Sequence, residues 1–262
     1  MDSTISKNDS INMGDDLMAT KSGAAETSEE DLFKDPPPPE ECPICLLTLP
    51  IMGTGQKYQA CCGKLLCMGC IYAFQSKNNR RVCPMCDAPE PTAHAQAIKM
   101  IKKRVALDDT YAIHQLGHFY NDGSMGLPQA SKKAVNLWLR AAELGLPRAH
   151  YSVGNAYCDG KGVEKNLAKA KNYWELSAVG GNVFARHKLG QLDCAVDMDR
   201  AMRHFMIAAA AGYDDSLKQI KEAFKCGHAT KDDFAKALRA HKEAKDAMRT
   251  DEREAVARLL AK

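Results

Sequence analysis

Apolar positions follow a helical period from about residue 95 onward. In the stretch AQAIKMIKKRVAL, Ile98, Ile101 and Val105 recur at the spacing that places them on one face of a helix. Helical repeats follow this stretch along the chain. We therefore predict that it forms the second helix of an incomplete repeat, which caps the N-terminal end of the array.

The chain then repeats itself. Gly117 recurs as Gly154, and Trp138 recurs as Trp174. Small residues at fixed positions let helix backbones approach closely, while the aromatic residue fills the wider gap between layers. A single helical hairpin cannot bury its apolar face alone, so several must stack into a solenoid. The predicted copies lie near residues 112–145, 149–181, 185–212 and 216–247, within an array spanning 95–247 and followed by a C-terminal helical tail, 248–262.

The repeat resembles the Sel-one-like repeat, a relative of the tetratricopeptide repeat. The matching residues follow the pattern A…LG..Y..G.G(V/L)…KA..(W/F)…A…G, which is clearest in the first two copies. The resemblance covers about residues 108–247. It implies a right-handed helical solenoid that binds other proteins and carries no chemistry of its own. Within it, Trp138, Trp174, Tyr120 and Tyr157 are predicted to be core residues.

The N-terminal segment has a different composition. Residues 1–41 carry eleven acidic and three basic residues and end in DPPPPEE, whereas the remainder carries a net charge of +11. Such a segment buries too little apolar surface to offset the entropy of ordering. We predict a disordered acidic tail, 1–41, whose prolines form a stiff spacer.

The chain opens with no basic-then-apolar signal and has no apolar run of the roughly 18 residues that span a bilayer. This predicts an intracellular protein, cytoplasmic or nuclear, that is not secreted and does not contact a membrane. In a reducing compartment, eleven cysteines are better explained by metal binding than by disulfides.

Eight of these cysteines fall within residues 42–86. Three C-x-x-C pairs occur, and the adjacent Cys61 and Cys62 supply a fourth pair. Zinc prefers four thiolate or imidazole ligands in a tetrahedron, so eight thiolates are the number that two closed sites require. The segment is too short to be stabilised by an apolar core alone, which also favours metal. We predict two zinc ions.

The order of the pairs resembles a RING domain, here residues 42–90. In that family the pairs are interleaved, so the resemblance assigns the first and third pairs to one ion and the second and fourth pairs to the other. It also implies a compact α+β module around a short central helix, MGCIYAFQSK. The implied ligands are Cys42, Cys45, Cys67 and Cys70 for the first zinc, and Cys61, Cys62, Cys83 and Cys86 for the second.

The second pair departs from the family pattern, because Lys64 stands where a histidine ligand is usual. Adjacent side chains on an extended strand point to opposite faces, so both thiolates can bind one ion only if the chain kinks there. Gly63 permits such a kink. The alternative is that Cys62 alone binds, with His94 or water completing the site and Cys61 a buried free thiol.

The RING resemblance also implies a docking groove for a ubiquitin-conjugating enzyme. The family places an apolar residue in the first pair, a large apolar residue in the central helix and a proline in the last pair; Ile44, Phe74 and Pro84 match these positions. Packing around zinc is the competing explanation for all three. Many active RING domains carry a basic residue after the last cysteine, where this chain has Asp87.

The sequence thus predicts a small α+β cross-brace zinc domain followed by an all-α helical-repeat solenoid. The leading functional hypothesis is a RING-type ubiquitin ligase that recruits substrate through its repeats. The alternative is a non-catalytic, zinc-stabilised interaction scaffold. Nucleic-acid binding is disfavoured because the expected aromatic and basic interleaving is missing.

Overall fold

A computed structural model describes residues 27–51 and 55–260. Most of this part of the chain is helical, and the array begins with α3 and ends with α11. Between them the helices run in antiparallel pairs joined by short turns. The helices of the array are α3 (His94–Val105), α4 (Thr110–Asp122), α5 (Ser131–Glu143), α6 (Pro147–Asp159), α7 (Leu167–Val179), α8 (Val183–Asp193), α9 (Met198–Ala210), α10 (Asp214–Lys225) and α11 (Lys231–Ala247).

The repeated glycines mark places where an aromatic ring packs directly against a helix backbone. A Cβ atom on Gly154 would lie 2.5 Å from the Trp174 ring, and one on Gly190 would lie 2.6 Å from the Phe205 ring. Gly117 meets the Trp138 ring in the same way. Each repeat therefore needs glycine on its first helix because the aromatic residue of its second helix occupies the space that a side chain would take.

The core of the array contains the residues that the sequence pattern predicted. Trp138 and Trp174 are buried, as is Tyr120, and Tyr157 is partly buried against the same clusters. The predicted apolar face of α3 is also confirmed. Its three residues are buried in one cluster with α4 and α5: Ile98, Ile101 and Val105.

The cysteine module precedes the array. Strands β1 (Gln56–Gln59) and β2 (Lys64–Cys67) form an antiparallel hairpin, and helix α2 (Met68–Asn78) follows β2 directly. Cys67 caps α2, since its sulfur accepts a hydrogen bond from the backbone N–H of Cys70. The small apolar core of the module consists of Leu49, Leu66 and Ile71, packed against Cys42 and Cys67.

The prediction of a disordered tail over residues 1–41 is wrong for residues 27–41; residues 1–26 lie outside the described residues. Helix α1 (Glu29–Leu32) forms a single turn, and Leu32 is only 1% exposed. Leu32 packs among residues of α7 and α8. Two adjacent apolar residues, Leu32 and Phe33, are enough to fix the segment because the array supplies the surface on which they pack.

The C-terminal tail folds back onto the cysteine module. Helix α12 (Asp251–Leu260) packs against α2, and the backbone of Arg253 lies so close to Gly69 that a Cβ atom there would be 2.9 Å from the Arg253 nitrogen. The Arg253 guanidinium donates a hydrogen bond of 2.8 Å to the carbonyl of Thr48. Within the described residues, no helix has the length and apolar character needed to cross a membrane.

Candidate metal centre

The first C-x-x-C pair lies beside the pair that joins β2 to α2. The sulfur atoms of Cys42, Cys45, Cys67 and Cys70 all lie within 4.8 Å of one another. The Cys45 and Cys67 sulfurs are 3.9 Å apart. Four thiolates bound to Zn²⁺ at about 2.3 Å in a tetrahedron are separated by about 3.8 Å. This cluster therefore fits a tetrahedral zinc ion.

The second cluster joins the β1–β2 turn to the last C-x-x-C pair. The sulfur atoms of Cys61, Cys62, Cys83 and Cys86 also lie within 4.8 Å of one another, and the Cys62 and Cys83 sulfurs are 3.8 Å apart. This spacing again fits zinc.

The turn that brings Cys61 and Cys62 together depends on Gly63. Its φ of 73° lies in the left-handed region, which glycine enters without steric cost. The chain thus kinks at the predicted place, and both sulfurs enter one cluster. His94 begins α3 and is not among the four residues of that cluster. Lys64 is exposed on β2, and its backbone N–H donates to the sulfur of Cys62.

Backbone N–H groups favour the thiolate form of one cysteine in each cluster. Burial disfavours the charge on Cys42, but N–H donors from Cys67 and Cys45 outweigh it and lower the Cys42 pKa to about 7. Burial likewise opposes ionisation of Cys83, yet N–H donors from the loop that follows hold its pKa below the usual range. Each cluster therefore contains a thiol that ionises readily.

Cys61 and Cys70 show why the clusters suit a cation. Burial raises the pKa of Cys61, and hydrogen bonds with Cys86 and Cys83 raise it further. Burial and the neighbouring Cys67 raise the pKa of Cys70 in the same way. Several thiolates cannot share so small a volume without a positive charge between them. A bound metal ion such as Zn²⁺ would supply that charge and keep all four ligands deprotonated.

Arg253 places a positive charge beside the first cluster. Its guanidinium donates to the sulfur of Cys45 at 3.3 Å. Burial works against its charge, but hydrogen bonding to the thiols of Cys67 and Cys45 raises its pKa. Four thiolates around Zn²⁺ carry a net charge of −2, which such a donor partly offsets. Sequence reasoning missed this residue, since it lies about 200 positions from the cysteine that it contacts.

The three predicted docking residues all reach solvent. Ile44 is 41% exposed, while Phe74 and Pro84 are half-buried. Tyr72 and Met85 are also exposed. Met85 directly follows Pro84, and Tyr72 lies two residues before Phe74 on α2. The module therefore presents apolar surface to solvent on its first loop, its helix and its last loop.

Asp87, at the end of the cysteine module, forms an ion pair with Arg80. The Arg80 guanidinium lies 3.3 Å from the Asp87 carboxylate, and both side chains are well exposed. A basic group is therefore present beside the last cysteine, although it comes from residue 80 rather than from residue 87.

The module is attached to the array near its second cluster. The Tyr58 hydroxyl donates a hydrogen bond of 2.7 Å to the Asp109 carboxylate. Arg104, on α3, donates to the carbonyl of Cys61 at 3.0 Å. Sequence reasoning missed these contacts because a hydroxyl and a guanidinium give no pattern that points to a partner.

Comparison with known proteins identifies the repeats. The family model of the Sel1 repeat matches residues 110–146, 147–182 and 185–213. This confirms the first three predicted copies; the predicted fourth copy, formed by α10 and α11, lies outside the matched residues. Sel1 repeats generally mediate protein–protein interactions.

Two solved structures have a similar fold. A Sel1 repeat protein from Oxalobacter formigenes aligns with a TM-score of 0.53 and 23% identity, covering 69% of this chain and 71% of that one. A protective antigen of uropathogenic Escherichia coli with an SLR fold aligns with a TM-score of 0.52 and 22% identity. That alignment covers 68% of this chain and 37% of the antigen. At these identities, the likeness extends to the solenoid fold alone.

Proposed function

We propose that this chain is a RING-type ubiquitin ligase. In this proposal, residues 42–90 bind two zinc ions and dock a ubiquitin-conjugating enzyme, and the repeats over residues 95–247 recruit the protein substrate. The observation that carries the proposal is the interleaving of the two clusters. The first C-x-x-C pair joins the third, and the second joins the fourth, as in the cross-brace that the RING resemblance implies.

The chain's own residues do not form a covalent bond in this reaction. The substrate lysine attacks the thioester carbon of the bound ubiquitin, an isopeptide bond forms, and the conjugating enzyme's cysteine leaves as a thiol. The ligase residues hold the enzyme: Ile44 on the first loop, Phe74 on α2 and Pro84 on the last loop. The zinc ions stabilise the loops that carry Ile44 and Pro84.

Asp87 weakens the proposal because many active RING domains have a basic residue at this position. Arg80 supports the proposal because it places a basic group beside Asp87. Its guanidinium is exposed beside the last cysteine, where it is able to contact ubiquitin in place of the usual basic residue. Ubiquitin transfer takes place inside the cell, so the proposal places the protein in the cytoplasm or nucleus, where its thiols stay reduced.

The experiment that tests this function is autoubiquitination with a panel of conjugating enzymes. We expect Ile44→Ala to lower the rate about fivefold or more with the enzyme that works best, because truncating a central apolar contact costs above about 1 kcal/mol. Leu144→Ala is the matched control, since Leu144 is 46% exposed on the array against 41% for Ile44. Equal rates for the wild type and Ile44→Ala would contradict the docking assignment.

A non-catalytic scaffold is the second candidate. It is favoured by Lys64 at the usual histidine position and by Asp87 at the usual basic position. In that case, the zinc-loaded module would bind no conjugating enzyme in a pulldown, while the repeats would still capture a protein partner. Zinc content is expected to be the same for both candidates, so only enzyme binding separates them.

A further inference from the structure

Residues 28–40 run along the array against the order of the repeats. Glu29 pairs with Arg203 of α9 at 3.1 Å, in the third repeat. Further along, Pro37 packs on Gly181, in the turn between α7 and α8. Glu40 then pairs with Arg148 of α6 at 3.3 Å and accepts a hydrogen bond from the Tyr111 hydroxyl of α4. The segment thus crosses all three matched repeats before it enters the cysteine module.

Two adjacent apolar residues anchor this segment. Leu32 is buried between α7 and α8, beside Trp174 and Leu189. The Phe33 ring lies under the Arg203 guanidinium, which is 3.5 Å from its centroid. The His204 ring packs on the same phenyl group, with the two centroids 4.7 Å apart. A few side chains seated in well-packed pockets usually supply most of the binding energy of a protein ligand, and Leu32 and Phe33 are placed to do so here.

Arg186 recognises the backbone of the segment. This arginine of α8 is only 1% exposed, and its guanidinium donates a hydrogen bond to the carbonyl of Leu32. Its Nε atom has no hydrogen-bond partner among the described residues. Burying an arginine is costly unless its donors are satisfied, so the array provides a site that needs a peptide carbonyl or water at this point.

The charges of the segment and of the array are complementary, which favours an acidic peptide as the ligand. Residues 27–41 contain six acidic residues and one lysine, whereas Arg186, Arg200 and Arg203 all lie within 5.9 Å of the Phe33 ring centroid. Arg200 and Arg203 both reach the Glu29 carboxylate. The site therefore offers a buried apolar pocket for leucine, arginine side chains that pack on the phenylalanine ring, and arginine side chains that pair with an acidic residue.

We propose that this surface of α7, α8 and α9 is a peptide-binding site for an acidic turn followed by Leu-Phe, which residues 28–35 occupy in cis. A protein partner that carries the same motif binds by displacing the segment. The inference rests on the part of the proposed function that assigns recruitment to the repeats, and it names the chemistry of what they recruit. Because a short tether gives an effective concentration in the millimolar range, the cis segment is a strong competitor.

The test measures, by fluorescence polarisation, the binding of a fluorescein-labelled peptide of residues 27–41 to the full chain. We expect the Leu32→Ala/Phe33→Ala chain to bind this peptide at least about tenfold more tightly than the wild type, because its own segment no longer competes. Adding Arg203→Glu to that chain should weaken binding. A peptide that carries both alanines should not bind, and Leu107→Ala, at an exposed leucine elsewhere, should behave as wild type.

Two results would overturn the proposal. If the doubly substituted chain does not bind the peptide, the surface is not a site for a ligand in trans. If that chain loses its helical circular-dichroism signal, the segment is an integral part of the core instead. The assay contains no ubiquitin and no conjugating enzyme, so its outcome is independent of ligase activity.

Discussion

The Cys61→Ser/Cys62→Ser variant is expected to hold one zinc ion per chain, and the wild type is expected to hold two. Both sulfurs belong to the second cluster, with Cys83 and Cys86, and a serine hydroxyl does not replace a thiolate as a zinc ligand at neutral pH. A structural zinc site contributes roughly 10–16 kcal/mol in small domains. The loss therefore unfolds the β1–β2 turn and the last loop, while the array keeps its helices.

Metal analysis of the purified chains measures this directly. Cys226→Ser is the control, because Cys226 is an exposed cysteine outside both clusters and its loss should leave two ions bound. A double variant that still binds two ions would show that Cys61 and Cys62 are not ligands. Loss of both ions would show that the two clusters fold as one unit.

Trp174→Ala is expected to destabilise the helical array strongly. Trp174 is 2% exposed, packs against Gly154 and donates a hydrogen bond of 3.1 Å to Asn155. Trp174→Ala removes that contact and leaves a cavity that the close helices cannot fill by collapsing. The expected loss is about 3–5 kcal/mol of unfolding free energy. In a domain of this size, that loss corresponds to a fall in Tm of about 6–20 °C.

Thermal unfolding, monitored by circular dichroism, measures this fall in Tm. Phe224→Ala provides the comparison, because Phe224 is an aromatic residue of the array that is 37% exposed, and its loss should cost several times less. If both variants melt at the same temperature, then the stacking of Trp174 on Gly154 does not hold adjacent helices together.

The repeats were predictable because each one gives the same signal at the same place. Glycine and an aromatic residue recur as Gly117 with Trp138 and as Gly154 with Trp174, and a repeated pattern fixes helices, turns and core together. The apolar face of α3 was predictable for a related reason, since Ile98, Ile101 and Val105 have the period of a helix.

The order of residues 27–41 was not predictable from their composition. Six acidic residues and four prolines are typical of disorder, and two apolar residues show no period. What orders this segment is a surface about 150 residues later in the chain, where Arg186 and Leu189 meet Leu32. The docking of α12 on α2 was missed for the same reason, because Arg253 and Gly69 have no shared pattern in the sequence.

The candidate metal centre was predictable in part from the sequence. The number of cysteines predicted two four-thiol sites, and the RING resemblance implied which cysteines share each site. The left-handed conformation of Gly63 accounts for how adjacent cysteines enter one of them. The spacing of the cysteines gave no information about which other side chains contact them. Arg253 near Cys45 and Arg104 at the carbonyl of Cys61 come from elements that fold onto the module from outside it.

We propose that the cysteine module, with zinc bound, activates a ubiquitin-loaded conjugating enzyme. The most direct measurement is single-turnover discharge of that thioester onto free lysine, which requires no substrate and no repeats. We expect faster discharge with the wild-type chain than with no ligase, and a loss of that gain with Ile44→Ala at unchanged zinc content. Discharge that the zinc-loaded wild type does not accelerate, with any enzyme of the panel, would contradict it.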